Sequence, residues 1–183
     1  MRVLLNAVNC TALGPQVVVE NLLPALTVAA PGVSFLAVLP RGYGYESCPS
    51  RPNLALEFVS RNGTREWQRV LDIFFRVPRW CQEFRSDVCF TLGDIGPLAL
   101  SVPQVVLLHR SLIVEMPNRP GAPRRWRDAL TGAYLGWHLR LLGSRVASFI
   151  VQSPVIQARL AKHCGISSQR IHVITQPLPQ HLT

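Results

Sequence analysis

The chain has 183 residues, of which 48% are hydrophobic and 16% charged, a length and composition that support a buried core and exclude intrinsic disorder. Its formal charge of +9 comes almost wholly from arginine, since Lys162 is the only lysine, and it favours anionic partners. The arginines are scattered and accompany no helix-turn-helix, zinc-finger or RNA-binding signature, which argues against nucleic acid as a partner.

The chain opens with a strand, a loop and a helix. Arg2–Val8 is a compact apolar run, and apolar residues at 18, 19, 22, 23 and 26 predict the helix that follows. Pro15 fits the first turn of that helix, and Gly14 just before it would let another backbone or a phosphate approach closely. Pro24 predicts a kink near Leu23.

The remaining elements alternate between strands and helices. Thr64 is predicted to cap a helix that Pro78 divides. Arg124–Gly143 is predicted to form a long helix whose large apolar residues are Trp126, Leu130, Tyr134, Trp137, Leu141 and Leu142. Further strands are expected at Val33–Leu39, Leu54–Val59 (a weaker candidate), Val88–Leu92, Val105–Leu108, Val146–Gln152 and Ile171–Thr175. The whole predicts about six strands in a mostly parallel α/β sheet with helices on both faces.

The long helix allows two interpretations. In one it packs against the core and exposes a basic face that includes Arg127, His138 and Arg140. In the other it is a basic, tryptophan-bearing helix that touches an anionic membrane. The loop before it, Met116–Arg125, is rich in Pro, Gly and Arg and is predicted to be mobile.

Two polar clusters follow the central strands. Gly93 and Asp94 come after Val88–Leu92, and His109 comes after Val105–Leu108. Ligands of open α/β sheets bind outside the carboxyl ends of the strands, so these are the first candidate site residues. Ser153 is predicted to cap the last helix and to border the same crevice.

No metal site and no cofactor are expected. The five cysteines are odd in number and lack the spacing of zinc ligands, which also argues against a disulfide framework. No apolar run is long enough for a membrane span, and the amino terminus lacks signal-peptide architecture. The sequence therefore predicts a cytoplasmic protein, with peripheral attachment to the inner face of the plasma membrane as an option.

The stretch from Ser144 to Pro177 resembles the end of the amino-terminal domain of family 4 glycosyltransferases, where a strand and a helix are followed by "Arg-Ile-x-Val-Ile-x-x-Pro". The start, with its glycine loop and "Asn-Leu-Leu-x-x-Leu" helix, and the centre, with "Asp-Val-x-Phe-Thr-x-Gly" and "Val-Val-Leu-Leu-His", are similar to the same family. The resemblance implies one Rossmann-like lobe of a GT-B fold, with the second lobe absent. Residues 1–175 would be the acceptor-side domain and 176–183 the start of the interdomain linker or a tail.

The resemblance also assigns roles to individual residues. Gly14 and Gln16 fall on the loop that approaches the donor diphosphate, although Pro15 stands where the family often has a second glycine. His109 falls on the histidine that contacts the donor sugar near the reacting carbon, and Asp94 is placed to accept a hydrogen bond from an acceptor hydroxyl. Each also has a structural interpretation: a turn at Gly14, an ordinary edge histidine, and a turn cap at Asp94.

Three functions follow as alternatives. The first is a metal-independent retaining glycosyltransferase that uses a nucleotide sugar and a glycan or lipid-linked acceptor, with little activity from this lobe alone. The second is a non-catalytic module that binds a sugar or a separately encoded donor-binding domain. The third is a basic protein that binds a membrane or nucleic acid, for which binding should fall steeply with salt.

Overall fold

The computed structural model describes residues 1–60, 71–109 and 136–175. Within them, seven strands form one sheet in the order β3-β2-β1-β4-β5-β6-β7, and every neighbouring pair is parallel. The strands are β1 (Arg2–Asn6), β2 (Ser34–Pro40), β3 (Leu54–Val59), β4 (Val88–Thr91), β5 (Gln104–Leu107), β6 (Ser148–Val151) and β7 (Ile171–Val173). The predicted parallel sheet is confirmed, with seven strands where about six were expected, because the weaker candidate pairs along its whole length with β2.

The described ranges contain four α-helical segments beside the strands. They are α1 (Leu13–Ala29), α2 (Val77–Glu83), α3 (residues 136–143) and α4 (Pro154–Cys164). Pro15 lies in the first turn of α1 as predicted, and Pro24 lies inside α1 without ending it. A π-helical turn, Asp72–Arg76, precedes α2, so the division predicted at Pro78 is a change from π to α geometry.

Both faces of the sheet are covered by helices. Leu4 and Leu5 are consecutive residues of β1, so their side chains lie on opposite faces, and both are fully buried. The Leu5 face packs against α1 through Val19 and Leu23. The Leu4 face packs against α2 through Val77 and Cys81. In a separate cluster, β5 and β6 pack against Leu139 and Leu142 of α3 and Leu160 of α4. Burial on both faces explains why β1 and β2, near the centre of the sheet, are continuously apolar over most of their length rather than alternating.

Several predictions lie outside the described residues. They are the Thr64 cap, the Met116–Arg125 loop, the first part of the Arg124–Gly143 helix and the linker at 176–183. Within the described ranges, none of the helices is both long enough and apolar enough to cross a membrane.

Candidate functional site

The strand order reverses between β1 and β4. The chain adds β2 and β3 on one side of β1 and then returns to place β4 on the other side. The loops after β1 and β4 therefore diverge at the carboxyl edge of the sheet, which is where open α/β sheets form their ligand crevice. The loop after β4 carries the predicted residues Gly93 and Asp94, and the loop after β1 leads to Gly14.

The backbone carbonyl of Leu92 links the segments that follow three strands. It accepts a hydrogen bond from the Cys10 thiol at 3.2 Å, and it lies 2.7 Å from Nε2 of His109. Cys10 follows β1, Leu92 follows β4 and His109 follows β5, so one carbonyl links the ends of three adjacent strands. Because a carbonyl oxygen has two lone pairs, it can accept both bonds at once.

Asp94 and His109 are in direct contact. The His109 backbone N–H donates to Oδ1 of Asp94 at 2.7 Å, and both residues are half-buried. Gly93 sits where the loops after β1 and β4 touch, since a Cβ added there would lie 3.4 Å from the Cβ of Asn9. The structure thus brings together three of the predicted site residues.

Tyr45, which is distant in sequence, holds the loop after β1 through a hydrogen bond. Its hydroxyl donates to the backbone carbonyl of Cys10 at 2.8 Å, and the side chain is 1% exposed. Burial, together with the charges of Cys10 and Glu20, raises the pKa of the phenol, so Tyr45 remains a hydrogen-bond donor at neutral pH. No local sequence pattern predicts this contact, because the two residues are 35 positions apart.

The amino terminus of α1 is open. Its N-cap residue, Ala12, offers no side-chain cap, and its first turn contains no acidic residue. Gly14 is exposed, and a Cβ added there would meet nothing within 4 Å. The first N–H groups of a helix lack partners within the helix and carry a partial positive charge, so this end can accept an anion.

The side chain of Gln16 serves a structural contact. Its Nε2 donates to the backbone carbonyl of Tyr43 at 2.5 Å and to Oε1 of Glu20 at 3.1 Å. The bond to Tyr43 joins α1 to the loop after β2. A role of Gln16 in ligand binding stays a prediction.

Ser153 caps α4 as predicted. Its Oγ accepts a hydrogen bond from the Ile156 backbone N–H at 3.3 Å, and Pro154 occupies the first turn. The preceding residue, Gln152, was not among the predicted site residues. Its side-chain Nε2 lies 3.5 Å from Nδ1 of His109, so the end of β6 also reaches the site.

The sequence matches the family model of Glycosyltransferase Family 4 over residues 14–178. The chain belongs to this family. That span includes all of the candidate site residues, from Gly14 to Ser153, and it includes Leu92. No curated protein matches the sequence significantly.

Solved structures share the fold of this family 4 chain. WaaB, a lipopolysaccharide outer core galactosyltransferase in its apo form, is 12% identical with a TM-score of 0.55, over 97% of this chain and 46% of its own. UDP-glucose:anthocyanidin 3-O-glucosyltransferase in complex with UDP is 11% identical with a TM-score of 0.55, over 98% and 53%. UDP-GlcNAc 2-epimerase from Methanocaldococcus jannaschii is 11% identical with a TM-score of 0.54, over 95% and 45%.

These likenesses establish the architecture. The family 4 chain is a Rossmann-like α/β lobe of the GT-B type, as the sequence predicted. It spans about half the length of the solved structures it resembles. Since an epimerase shares the fold, the fold alone does not decide the reaction.

One prediction for the long helix was wrong. His138 was assigned to a solvated basic face, but it is 2% exposed, and its Nε2 lies 3.0 Å from the backbone carbonyl of Gly96. Burial lowers the pKa of this imidazole, which is therefore neutral at pH 7 and donates to Gly96. Of the apolar residues assigned to the core, Leu142 is buried as predicted, whereas Trp137 and Leu141 are 57% and 39% exposed, because the buried face of α3 runs through Leu139 and Leu142.

The candidate residues lie at the carboxyl edge of the sheet. A cavity of about 330 Å³ lies elsewhere, around residues 97–104 and Arg145, where β5 begins. The described part of the chain contains no group of three or more His, Cys, Asp or Glu side chains placed to hold a metal ion.

Proposed function

We propose that this chain is the acceptor-side lobe of a retaining glycosyltransferase, which transfers a hexosyl group from a nucleotide sugar to a hydroxyl acceptor. Membership of family 4 supports glycosyl transfer at the level of the family. The observation that carries the proposal is the contact between Asp94 and His109 at the carboxyl edge of the sheet, where Asp94 follows β4, one of the two strands between which the strand order reverses.

Each residue then has a role in the complex. Gly14 and the first N–H groups of α1 would face the donor diphosphate, since an uncapped helix amino terminus favours anions. His109 would contact the donor sugar, and Asp94 would accept a hydrogen bond from the acceptor hydroxyl. A carboxylate has about four lone-pair positions, so Asp94 can do this while it holds the His109 backbone.

The chemistry needs no protein nucleophile. The bond between the sugar carbon and the diphosphate oxygen breaks, the acceptor oxygen bonds to that carbon, and the acceptor proton passes to the leaving diphosphate. The protein supplies position and charge stabilisation, which enzymes of this kind use in place of covalent catalysis. Because this lobe forms one wall of such a cleft, we expect little or no transferase activity from it alone.

The second wall would come from a donor-binding lobe. The resembled structures are about twice as long as this chain, and one of them is described in complex with UDP. We propose that an equivalent lobe acts with this one, either in the same polypeptide or as a separately encoded partner.

Two glycine variants test the diphosphate contact. The purified chain is titrated with UDP-glucose by ligand-observed NMR, which detects millimolar binding. Gly14→Ala should weaken binding several-fold, because the new methyl group occupies the space that the diphosphate needs. Gly32→Ala is the matched control, since its added Cβ also meets nothing within 4 Å and it lies before β2, at the other edge of the sheet. Equal affinity of Gly14→Ala and the unaltered chain would contradict the role of Gly14.

A second candidate, peripheral contact with an anionic membrane, is favoured by one observation. Trp137 and Leu141 lie one turn apart on α3 and are both exposed, and the exposed Arg140 lies between them in sequence. An exposed tryptophan beside a cation is typical of helices that lie in the membrane interface.

Vesicle flotation tests this candidate. The chain should float with vesicles that contain phosphatidylglycerol and not with vesicles of phosphatidylcholine alone. Trp137→Ala should reduce the floating fraction, while Val155→Ala, which removes an equally exposed apolar side chain from α4, should leave it unchanged. Flotation that is insensitive to Trp137→Ala would exclude α3 as the membrane contact.

A further inference from the structure

The tautomer of His109 follows from its partners. Nε2 of the ring lies 2.7 Å from the carbonyl oxygen of Leu92, which can only accept a hydrogen bond. Nε2 must therefore carry a hydrogen. A neutral imidazole has a single ring N–H, so Nδ1 of the neutral ring is a hydrogen-bond acceptor.

Gln152 is placed to complete this arrangement. Its side-chain Nε2 is a donor and lies 3.5 Å from Nδ1 of His109, a long but complementary contact. The backbone of His109 is held separately by Asp94 at 2.7 Å. The imidazole is therefore oriented from the ends of two different strands, β4 through Leu92 and β6 through Gln152.

We propose that Gln152 is a positioning residue that orients His109 as the Nε2–H tautomer, with Nδ1 presented at the rim as a hydrogen-bond acceptor. Resting on the function proposed above, the ligand of Nδ1 is a hydroxyl group of the bound sugar. That hydroxyl donates to Nδ1 in place of the Gln152 amide, and no proton is transferred. His109 thus selects for a sugar with a hydroxyl at that position and does not act as a general acid from Nδ1.

The carbonyl of Leu92 favours the Nε2–H tautomer of His109 over the Nδ1–H tautomer. A neutral ring with its hydrogen on Nδ1 would face the lone pair of Nε2 toward a carbonyl oxygen 2.7 Å away, while Nδ1–H would face the Gln152 amide hydrogens. The first contact would then be repulsive, and the second would become attractive only if the Gln152 amide turned to present its oxygen. In the Nε2–H tautomer both are attractive, so the two partners favour the same state.

Nitrogen NMR of the full chain, without ligand, tests the assignment. Long-range proton–nitrogen spectra at pH 7.5 should show a protonated Nε2 and an unprotonated Nδ1 for His109, with the signals identified by their loss in His109→Gln. In Gln152→Leu, Nε2 should stay protonated because Leu92 still holds it, and the Nδ1 signal should move toward the position of a nitrogen without a donor. Gln157→Leu is the control, because Gln157 donates to the carbonyl of Ile171 at 2.7 Å and not to His109.

Gln152→Glu sharpens the test by replacing the donor with an acceptor. The carboxylate can only accept a hydrogen bond, so at pH 7.5 the Nδ1 signal should move toward that of a protonated nitrogen. A protonated Nδ1 in the unaltered neutral ring, an equal mixture of tautomers, or a Nδ1 signal that ignores Gln152→Leu would overturn the proposal. A correct tautomer with no response to UDP-glucose or UDP-galactose would support the placement of Gln152 and count against the proposed function.

Discussion

Helices α1 and α4 both begin just after a strand at the same edge of the sheet, yet their amino termini are stabilised in different ways. The start of α4 is completed locally by Ser153, whose Oγ accepts the Ile156 N–H. The start of α1 has no side-chain cap and is held from a distance, by Tyr45 at the carbonyl of Cys10 and by Gln16 at the carbonyl of Tyr43. The first N–H groups of α1 therefore receive no side-chain cap, whereas one N–H group of α4 is capped by Ser153. This is the difference expected if α1 binds an anion.

Removing the distant support of α1 should have the largest effect on stability. Tyr45→Phe keeps the ring and deletes the hydroxyl, which leaves the Cys10 carbonyl without that donor in a buried setting. We expect the free energy of unfolding to fall by about 1–3 kcal/mol, measured by urea denaturation. A loss below about 0.5 kcal/mol would mean that the loop after β1 is held by other contacts.

Adding a side-chain cap to α1 should make its amino terminus resemble that of α4. Ala12→Asp supplies a capping carboxylate, which should raise the free energy of unfolding by about 1 kcal/mol. The same carboxylate should weaken UDP-glucose binding by about tenfold, or about 1.4 kcal/mol, because it competes with the diphosphate.

Ser153→Asp is the matched control for that variant. It keeps a capping oxygen at α4 and adds the same charge at the same edge of the sheet. UDP-glucose binding should be unchanged. If both variants weaken binding equally, the effect is general electrostatic repulsion rather than contact with α1.

Opening the closed end of α4 should have a purely structural effect. Ser153→Ala removes the acceptor for the Ile156 N–H, and we expect the free energy of unfolding to fall by about 1 kcal/mol. Affinity for UDP-glucose should stay the same. A loss of affinity without a loss of stability would instead make Ser153 a ligand contact, the second role that the sequence suggested.

A third helix, α3, contributes a smaller effect that depends on pH. Burial lowers the pKa of His138 below its ordinary value of 6.5, so as pH falls below about 6.5 the unfolded chain binds this proton before the folded chain does. Stability should therefore decrease on acidification through that range and show no contribution from His138 above it. Urea denaturation at pH 7.5 and 5.5 should show a smaller decrease in His138→Gln than in the unaltered chain; an equal decrease would contradict the assignment.

The same comparison shows how far the sequence could predict the molecule. Ser153, Pro154 and Gly165 mark the two ends of α4 within a dozen residues, and the structure confirms the cap, the first-turn proline and the left-handed glycine with φ of 68°. The strands and their parallel arrangement were also predictable, because apolar runs of this length fit a sheet buried on both faces. The meeting of Asp94 with His109 followed from the rule that parallel strands end at one edge.

The contacts that hold the site together could not be predicted in this way. Tyr45 and Cys10, Cys10 and Leu92, and Gln152 and His109 are separated by 35, 82 and 43 positions, so no local pattern signals them. The inward side of α3 was predicted only in part: Leu142 was assigned to the core and is buried, but Trp137 and Leu141 were assigned there too, because the helix bears large apolar residues on more than one face. Only the packing against Val106 and Phe149 selects Leu139 and Leu142 for the core.

The most direct test of the account is a map of the backbone amides that respond to UDP-glucose. In proton–nitrogen spectra of the isotope-labelled full chain, millimolar UDP-glucose should shift the amides of Gly14, Gly93 and His109 and of their neighbours at the carboxyl edge. Shifts confined to residues 97–104 and Arg145, around the cavity where β5 begins, would contradict it, as would a folded chain whose spectrum does not change.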